Sequence, residues 1–132
     1  MRSKLLLTMA GVFAGTGVAL GAFAAHGLKS LLAPYLMEVF ETGVQYQFIH
    51  ALAILACGVL LQFSMGDKAQ KYFFIAAICF IIGVLCFSGS LYALALTGIK
   101  WFGPVTPIGG LFFMVGWGLF SYAALNMKEV NQ

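Results

Sequence analysis

Apolar and small residues fill four long runs of this chain, and polar residues gather between them. The runs cover residues 5–25, 44–64, 72–96 and 108–127. Each reaches the ~20 residues that an α-helix needs to cross a ~30 Å hydrocarbon core. Barrel strands would be about half as long and would alternate apolar with polar, which these runs do not. The pattern predicts an all-α integral membrane four-helix bundle, a single transmembrane domain over residues 1–132.

The connections differ in kind. Between spans one and two, Leu28, Leu31, Leu32, Tyr35, Leu36, Val39 and Phe40 recur at steps of three and four, and Lys29, Ser30, Glu38 and Glu41 fall between them. That spacing predicts a short amphipathic helix on the outer face. Pro34 suits a first helical turn, so a second helix is expected to begin there and run on into span two. Between spans three and four, Gly98, Gly103 and Pro104 mark turns, and Trp101 beside Lys100 suits an interfacial anchor. Thr106-Pro107 reads as an N-cap and first helical position opening span four.

Composition agrees with the pattern: 62% of the 132 residues are apolar and 8% are charged. Soluble domains carry about 25% charged residues, so this chain could not cover a water-facing surface. The net charge of +3 does not indicate nucleic acid, because the basic residues are scattered singly beside the apolar runs. Arg2, Lys4, Lys68, Lys71 and Lys128 fall on one side of a four-span topology, and Lys29 and Lys100 on the other. The positive-inside rule then places both termini in the cytoplasm. Ala22-Phe23-Ala24 fits a signal-peptidase pattern, but the run before it is longer than a 7–15-residue signal core. The first span is therefore expected to be retained.

Small residues form two stripes. In span three Ala76, Cys79, Gly83, Cys86, Ser90, Ala93 and Thr97 step by three and four. In span one Ala10, Ala14, Gly17, Gly21 and Ala24 do the same, widened by Gly11, Gly15, Ala22 and Ala25, with Met9, Phe13, Leu20 and Phe23 on the back. Small residues let helix backbones approach closely in lipid, so Gly17, Gly21, Gly83, Cys86 and Ser90 are expected to carry helix packing. A signal peptide has no need of such a seam.

Polar groups inside the runs converge on one leaflet. Span two opens "FETGVQYQFIH", and a 100° step per residue puts Gly43, Tyr46, Gln47, His50, Ala53 and Cys57 on one face. His50 is expected a turn or two inside the membrane. His26 closes span one on the same side, Ser88, Ser90 and Tyr92 lie in the matching half of span three, and Thr106 opens span four. Intramembrane polar groups usually face the bundle. This cluster is either a set of hydrogen bonds that pins the helices or a binding site, and the residues alone leave both open.

The sharper chemistries lack parts. A catalytic zinc needs three protein ligands and an open position, and two histidines with Glu41 fall short, so no metal site is expected. Bis-histidine haem would need His26 and His50 at one depth. A nucleophilic triad lacks an acid within the spans, because Glu38, Glu41, Asp67 and Glu129 lie at or beyond span ends. Cys57, Cys79 and Cys86 form no C-x-x-C pair and read as small packing residues. No catalytic residue and no cofactor is assigned, and the protein is expected not to be an enzyme.

The motifs "GAFAAHGL", "FETGVQYQFIHALAIL", "FSGSLYALALTG" and "PVTPIGGLFFMVGWGLF" resemble the YgdD/YwdK-like family of small bacterial inner-membrane proteins, a family of unknown function. The matching family residues are His26, Gln47, His50, Ser88, Ser90, Tyr92, Thr106 and Pro107. The resemblance implies a four-span plasma-membrane protein with an uncleaved first helix, and no established activity, substrate or cofactor. The expected role is a small accessory or scaffold protein whose partners are the lipid bilayer and either its own copies or a larger membrane complex, with no nucleic acid. The alternative is a small oligomeric transporter or channel with its path lined around His50. Water access to His50 separates the two.

Overall fold

The computed structural model describes residues 1–128, so Glu129 lies outside the described residues. Five α-helices build four spans: α1 (Arg2–Phe23), α2 (Pro34–Leu60), α3 (Asp67–Gly83), α4 (Gly89–Thr97) and α5 (Val105–Leu125). A π-helical turn, Ala24–Leu28, extends α1, and a second, Val84–Ser88, joins α3 to α4 in one continuous span. The spans are Arg2–Leu28, Pro34–Leu60, Asp67–Thr97 and Lys100–Leu125, each long and apolar enough to cross a membrane. No strand occurs among the described residues.

The pattern of polar and apolar positions misplaces some boundaries, for local reasons. The short helix expected ahead of Pro34 does not form; the chain leaves the π turn through a turn at residues 29–32. Pro34 then starts α2 at its first position, as expected. At ~1.5 Å per residue the 27 residues of α2 reach about 40 Å, more than a hydrocarbon core needs. The amphipathic segment is thus the leading end of span two. Span four starts at Val105 with no side-chain cap. Thr106 does not cap it, because it already lies inside the first turn, and its hydroxyl bonds Ser90 across the bundle.

The spans pack in the order α1, α2, α3/α4, α5. Close contacts join α1 to α2, α2 to α3 and α4, and α3 to α5. The two inner spans bury 44% of their most apolar window, the two edge spans 22%, so α1 and α5 turn most of their surface outward. The main core runs through Leu6, Phe13, Ile54, Phe73, Phe80 and Phe113. A smaller one at the far end gathers Ala24, Leu28, Phe40 and Ala95.

Glycines set the closest approaches. A Cβ on Gly109 would fall 2.7 Å from the Phe87 Cα, and one on Gly116 2.7 Å from the Phe80 ring. Gly83 meets Phe113, and Gly17 meets the Phe48 ring at 3.3 Å. Gly21 faces Val44 at 3.5 Å. The span-three stripe therefore packs along α5 at Ala76 and Gly83, with Cys86 half-buried and Ser90 buried. Its period breaks at the π turn, and Thr97 ends exposed. In span one Ala10, Gly17 and Ala24 are buried and Ala14 and Gly21 half-buried, while the expected back and flanks of the stripe depart from expectation. The buried face of α1 is Ser3, Leu6, Ala10, Phe13 and Gly17, so Phe13 belongs to the packed face and not to its back. Gly11, Gly15, Ala22 and Ala25 are exposed, and an added Cβ on Gly11 or Gly15 would meet nothing within 4 Å.

Candidate functional site

Two sets of hydrogen bonds are centred on neighbouring residues of α2. Gln47 is the first hub. Its side-chain amide donates to the Phe13 carbonyl and to Thr16 Oγ1, both at 2.8 Å. Its Oε1 accepts from the Tyr92 hydroxyl at 2.6 Å. One buried glutamine thus ties α1, α2 and α4. The Tyr92 ring reaches it by lying over Gly43, where any Cβ would collide at 2.8 Å, and it packs on Phe40 with centroids 4.8 Å apart.

His50 is the second hub, only 3% exposed. Trp117 Nε1–H on α5 donates to His50 Nε2 at 3.0 Å. An indole N–H can only donate, so Nε2 carries no proton. Nδ1 then holds the ring proton and donates it to the Tyr46 carbonyl at 2.8 Å. The geometry therefore selects the neutral Nδ1–H tautomer. The flat of the imidazole lies on Phe113, with centroids 3.6 Å apart and planes 8° from parallel. Phe80 and Trp117 close on it at 5.4 and 5.8 Å. Both nitrogens are used and apolar rings cover the rest, so no open position is left for a metal ion. Among the described residues no group of three His, Cys, Asp or Glu side chains could hold a metal.

Two serines complete the ties. Ser88 Oγ donates to the Gly43 carbonyl at 2.7 Å, joining the π turn to α2. Ser90 Oγ lies 2.6 Å from Thr106 Oγ1, joining α4 to α5, and donates to the Phe87 carbonyl at 2.9 Å. The C-terminal end of the π turn thus carries a serine directed at α2, and two residues further on a second serine is directed at α5. At the opposite end Ser3 Oγ donates to the Gly58 carbonyl at 2.7 Å, and Gln62 donates to Ser3 at 2.6 Å. Among the described residues no buried side-chain nitrogen or oxygen lacks a hydrogen-bond partner.

Of the residues singled out in the sequence, Gln47 and Tyr92 share one set of bonds, His50 lies in another, Ser88 bonds Gly43 and Ser90 bonds Thr106. Tyr46 contributes its backbone carbonyl and its ring, which packs on Phe87 at 4.7 Å. His26 does not join: it is exposed on the π turn that ends α1 and makes none of the cluster's bonds. His50 lies just past the middle of α2, which begins at Pro34 as expected. Sequence reasoning missed Trp117, Thr16 and Phe113. The usable signal for Trp117 was that an indole N–H within an apolar run needs an acceptor.

Comparison with known proteins places this architecture in a family. Residues 20–110 match the family model described as "Protein of unknown function (DUF423)". The chain is 37% identical over 129 residues to the UPF0382 inner membrane protein YgdD of Escherichia coli K12, covering 98% of this chain and 95% of that one. It is 37% identical over 132 residues to a UPF0382 membrane protein of Haemophilus influenzae, covering 98% and 100%. It is 39% identical over 114 residues to one of Staphylococcus saprophyticus, covering 86% and 91%. No solved structure gives a significant match. The matched residues include every sequence-predicted member of the cluster, from His26 to Thr106, and the relatives share the membrane character of the four apolar helices. The chain belongs to the DUF423 family, whose function is unknown.

Proposed function

We propose that this protein is a non-enzymatic accessory or scaffold protein of the bacterial plasma membrane. Both termini face the cytoplasm, and the protein packs with its own copies or with a larger membrane complex. The observation that carries this reading is the closed state of the polar cluster. Its donors and acceptors are spent on one another and on helix carbonyls, so they act as ties between spans. Catalysis or transport would call for polar groups held open to a substrate or to water. Phe113, Phe80 and Trp117 instead enclose His50.

A tied bundle of this kind presents a fixed outer surface. Its edge helices offer faces on which a neighbour could approach closely, at Gly11 and Gly15 on α1 and Gly118 on α5, where an added Cβ meets nothing within 4 Å. Small residues at a lipid-facing surface favour helix association through close packing. The orientation follows from the five basic residues at the end holding both termini, against two at the other. The test is crosslinking in native membranes, followed by mass measurement in mild detergent. A defined oligomer or a co-purifying membrane complex is expected. A monomer with no stoichiometric partner overturns the proposal.

A further inference from the structure

The end of the molecule that carries Arg2 combines two adjoining concavities of different character. A cavity of about 320 Å³ opens between the start of α1, the turn after α2 and the first turn of α3, lined by Met1, Arg2, Ser3, Leu61, Gln62 and Gln70. A largely apolar groove of about 560 Å³ shares Met1 and Arg2 with it and runs along α1 over Lys4, Leu5 and Thr8. Leu5 is half exposed there, so the groove opens towards the acyl chains.

The polar cavity is rich in donors. Gln62 spends one amide N–H on Ser3, and Gln70 one on the Phe63 carbonyl at 2.7 Å. A primary amide has two such donors, so each keeps one. The Arg2 guanidinium lies over the Phe74 ring, 4.6 Å from its centroid, which fixes its height while leaving its N–H edges for an acceptor. Lys68 and Lys71 sit in the same manner over Tyr122 and Tyr72, at 5.1 and 5.7 Å. Ser3 bonds Gly58, and the Lys128 amide bonds the Met65 carbonyl at 2.9 Å, so α1, the α2–α3 turn and the end of α5 share this end. Among the described residues it carries Arg2, Lys4, Lys68, Lys71 and Lys128 against the single carboxylate of Asp67.

The geometry points to a bound anionic phospholipid, with its phosphodiester in the polar cavity at Arg2 and an acyl chain in the groove along Leu5 and Thr8. Phosphodiester oxygens only accept hydrogen bonds, and a guanidinium can engage them bidentately. Basic pockets beside spans at this level hold anionic headgroups. The larger apolar groove selects a lipid over free phosphate, which would leave it empty. The excess of cations selects a headgroup without its own ammonium. This site is separate from the His50 cluster and does not rest on the proposed scaffold role.

The test uses the full chain in neutral detergent, with lipid retention read by native mass spectrometry and melting followed in parallel. The probes are phosphatidylglycerol, phosphatidylcholine and inorganic phosphate. Retention of phosphatidylglycerol about tenfold above phosphatidylcholine is expected, a difference of about 1.4 kcal/mol. Arg2→Gln with Lys4→Gln is expected to erase that preference, and Lys29→Gln with Lys100→Gln at the opposite end to keep it. Should the double variant fail to fold, Lys4→Gln alone is expected to lower the preference about fivefold. Equal retention of both lipids, a preference unchanged by Lys4→Gln, or inorganic phosphate stabilising as well as phosphatidylglycerol overturns the assignment.

Discussion

Trp117 on α5 donates its indole proton to Nε2 of His50 on α2 across 3.0 Å, although the backbones of these two helices make no close contact. The bond passes beside Phe80 of α3, whose ring lies 4.7 Å from Trp117 and 5.4 Å from His50. Among the described residues it is the only side-chain hydrogen bond between α2 and α5. Trp117→Phe keeps a ring on Phe80 and removes the donor. The cost expected for leaving Nε2 buried without a partner is about 1–3 kcal/mol. Measured by reversible unfolding in mixed micelles, His50→Phe and Trp117→Phe together should cost less than the sum of the two single changes. Additive losses would show that the bond contributes nothing. Nitrogen NMR of the wild-type ring at neutral pH should report the Nδ1–H tautomer.

Gln47 holds three bonds to two other spans, and Gln45 lies two residues away on the exposed side of the same helix. Their contrast isolates the network from helix propensity. Interhelical hydrogen bonds in membranes average about 0.6 kcal/mol each, so Gln47→Leu should lose about 2 kcal/mol and Gln45→Leu close to nothing. Unfolding curves of the two variants check this. Comparable losses, or no loss at Gln47, would mean that the chain repacks around the missing amide.

The four spans and most of this network were legible in the chain because lipid leaves little choice. Runs of about twenty apolar residues must be helices, and Gln47, His50, Ser88, Ser90 and Tyr92 inside them must find partners. The partners themselves were less legible. Trp117 sits inside an apolar run with no polar neighbour in sequence to mark it, whereas Trp101, expected as an interfacial anchor, is 86% exposed. Thr16 bonds back to the Val12 carbonyl at 2.8 Å, so nothing in its spacing announced that it also receives Gln47. Small-residue periodicity located the packing face of α1 but did not show that large residues share it. Leu6 and Phe13 are buried on that face, Leu6 against Gly58 of α2. The π turn at Val84–Ser88 has no composition signal; the Phe87 backbone within it lies against Gly109 of α5.

Glycines of one span sequence have opposite expected sensitivities. Gly109→Ala drives a methyl into the Phe87 backbone, which cannot swing aside as a side chain tip could. Overpacking of this kind costs about 1–3 kcal/mol, and Gly109→Ala belongs at the upper end. Gly118→Ala meets open space on the same helix, and should leave unfolding unchanged or raise it slightly through better helix propensity. On α1, Gly11→Leu with Gly15→Leu should likewise leave the fold intact while weakening the self-association or partner capture proposed above. Thermal unfolding separates the first effect and crosslinking yield the second. If the α1 double variant folds and crosslinks as the wild type does, that face of α1 is not the contact surface.

The proposed orientation has its own signature. Ser3 is bonded to Gly58, and Lys128 to Met65, so labels near either terminus and in the α2–α3 turn should share one accessibility, while the α4–α5 connection shows the other. Lys71 and Lys100 are both exposed and mark these two ends. With Cys57, Cys79 and Cys86 replaced by Ala, single cysteines at Lys71→Cys and Lys100→Cys can be reacted in intact cells with a membrane-impermeant thiol reagent. The Lys100→Cys protein should label from outside, and the Lys71→Cys protein only after the membrane is opened. The five basic residues at one end against two at the other motivate this outcome. The reverse pattern would place both termini outside and show that this charge difference does not set the insertion of the chain.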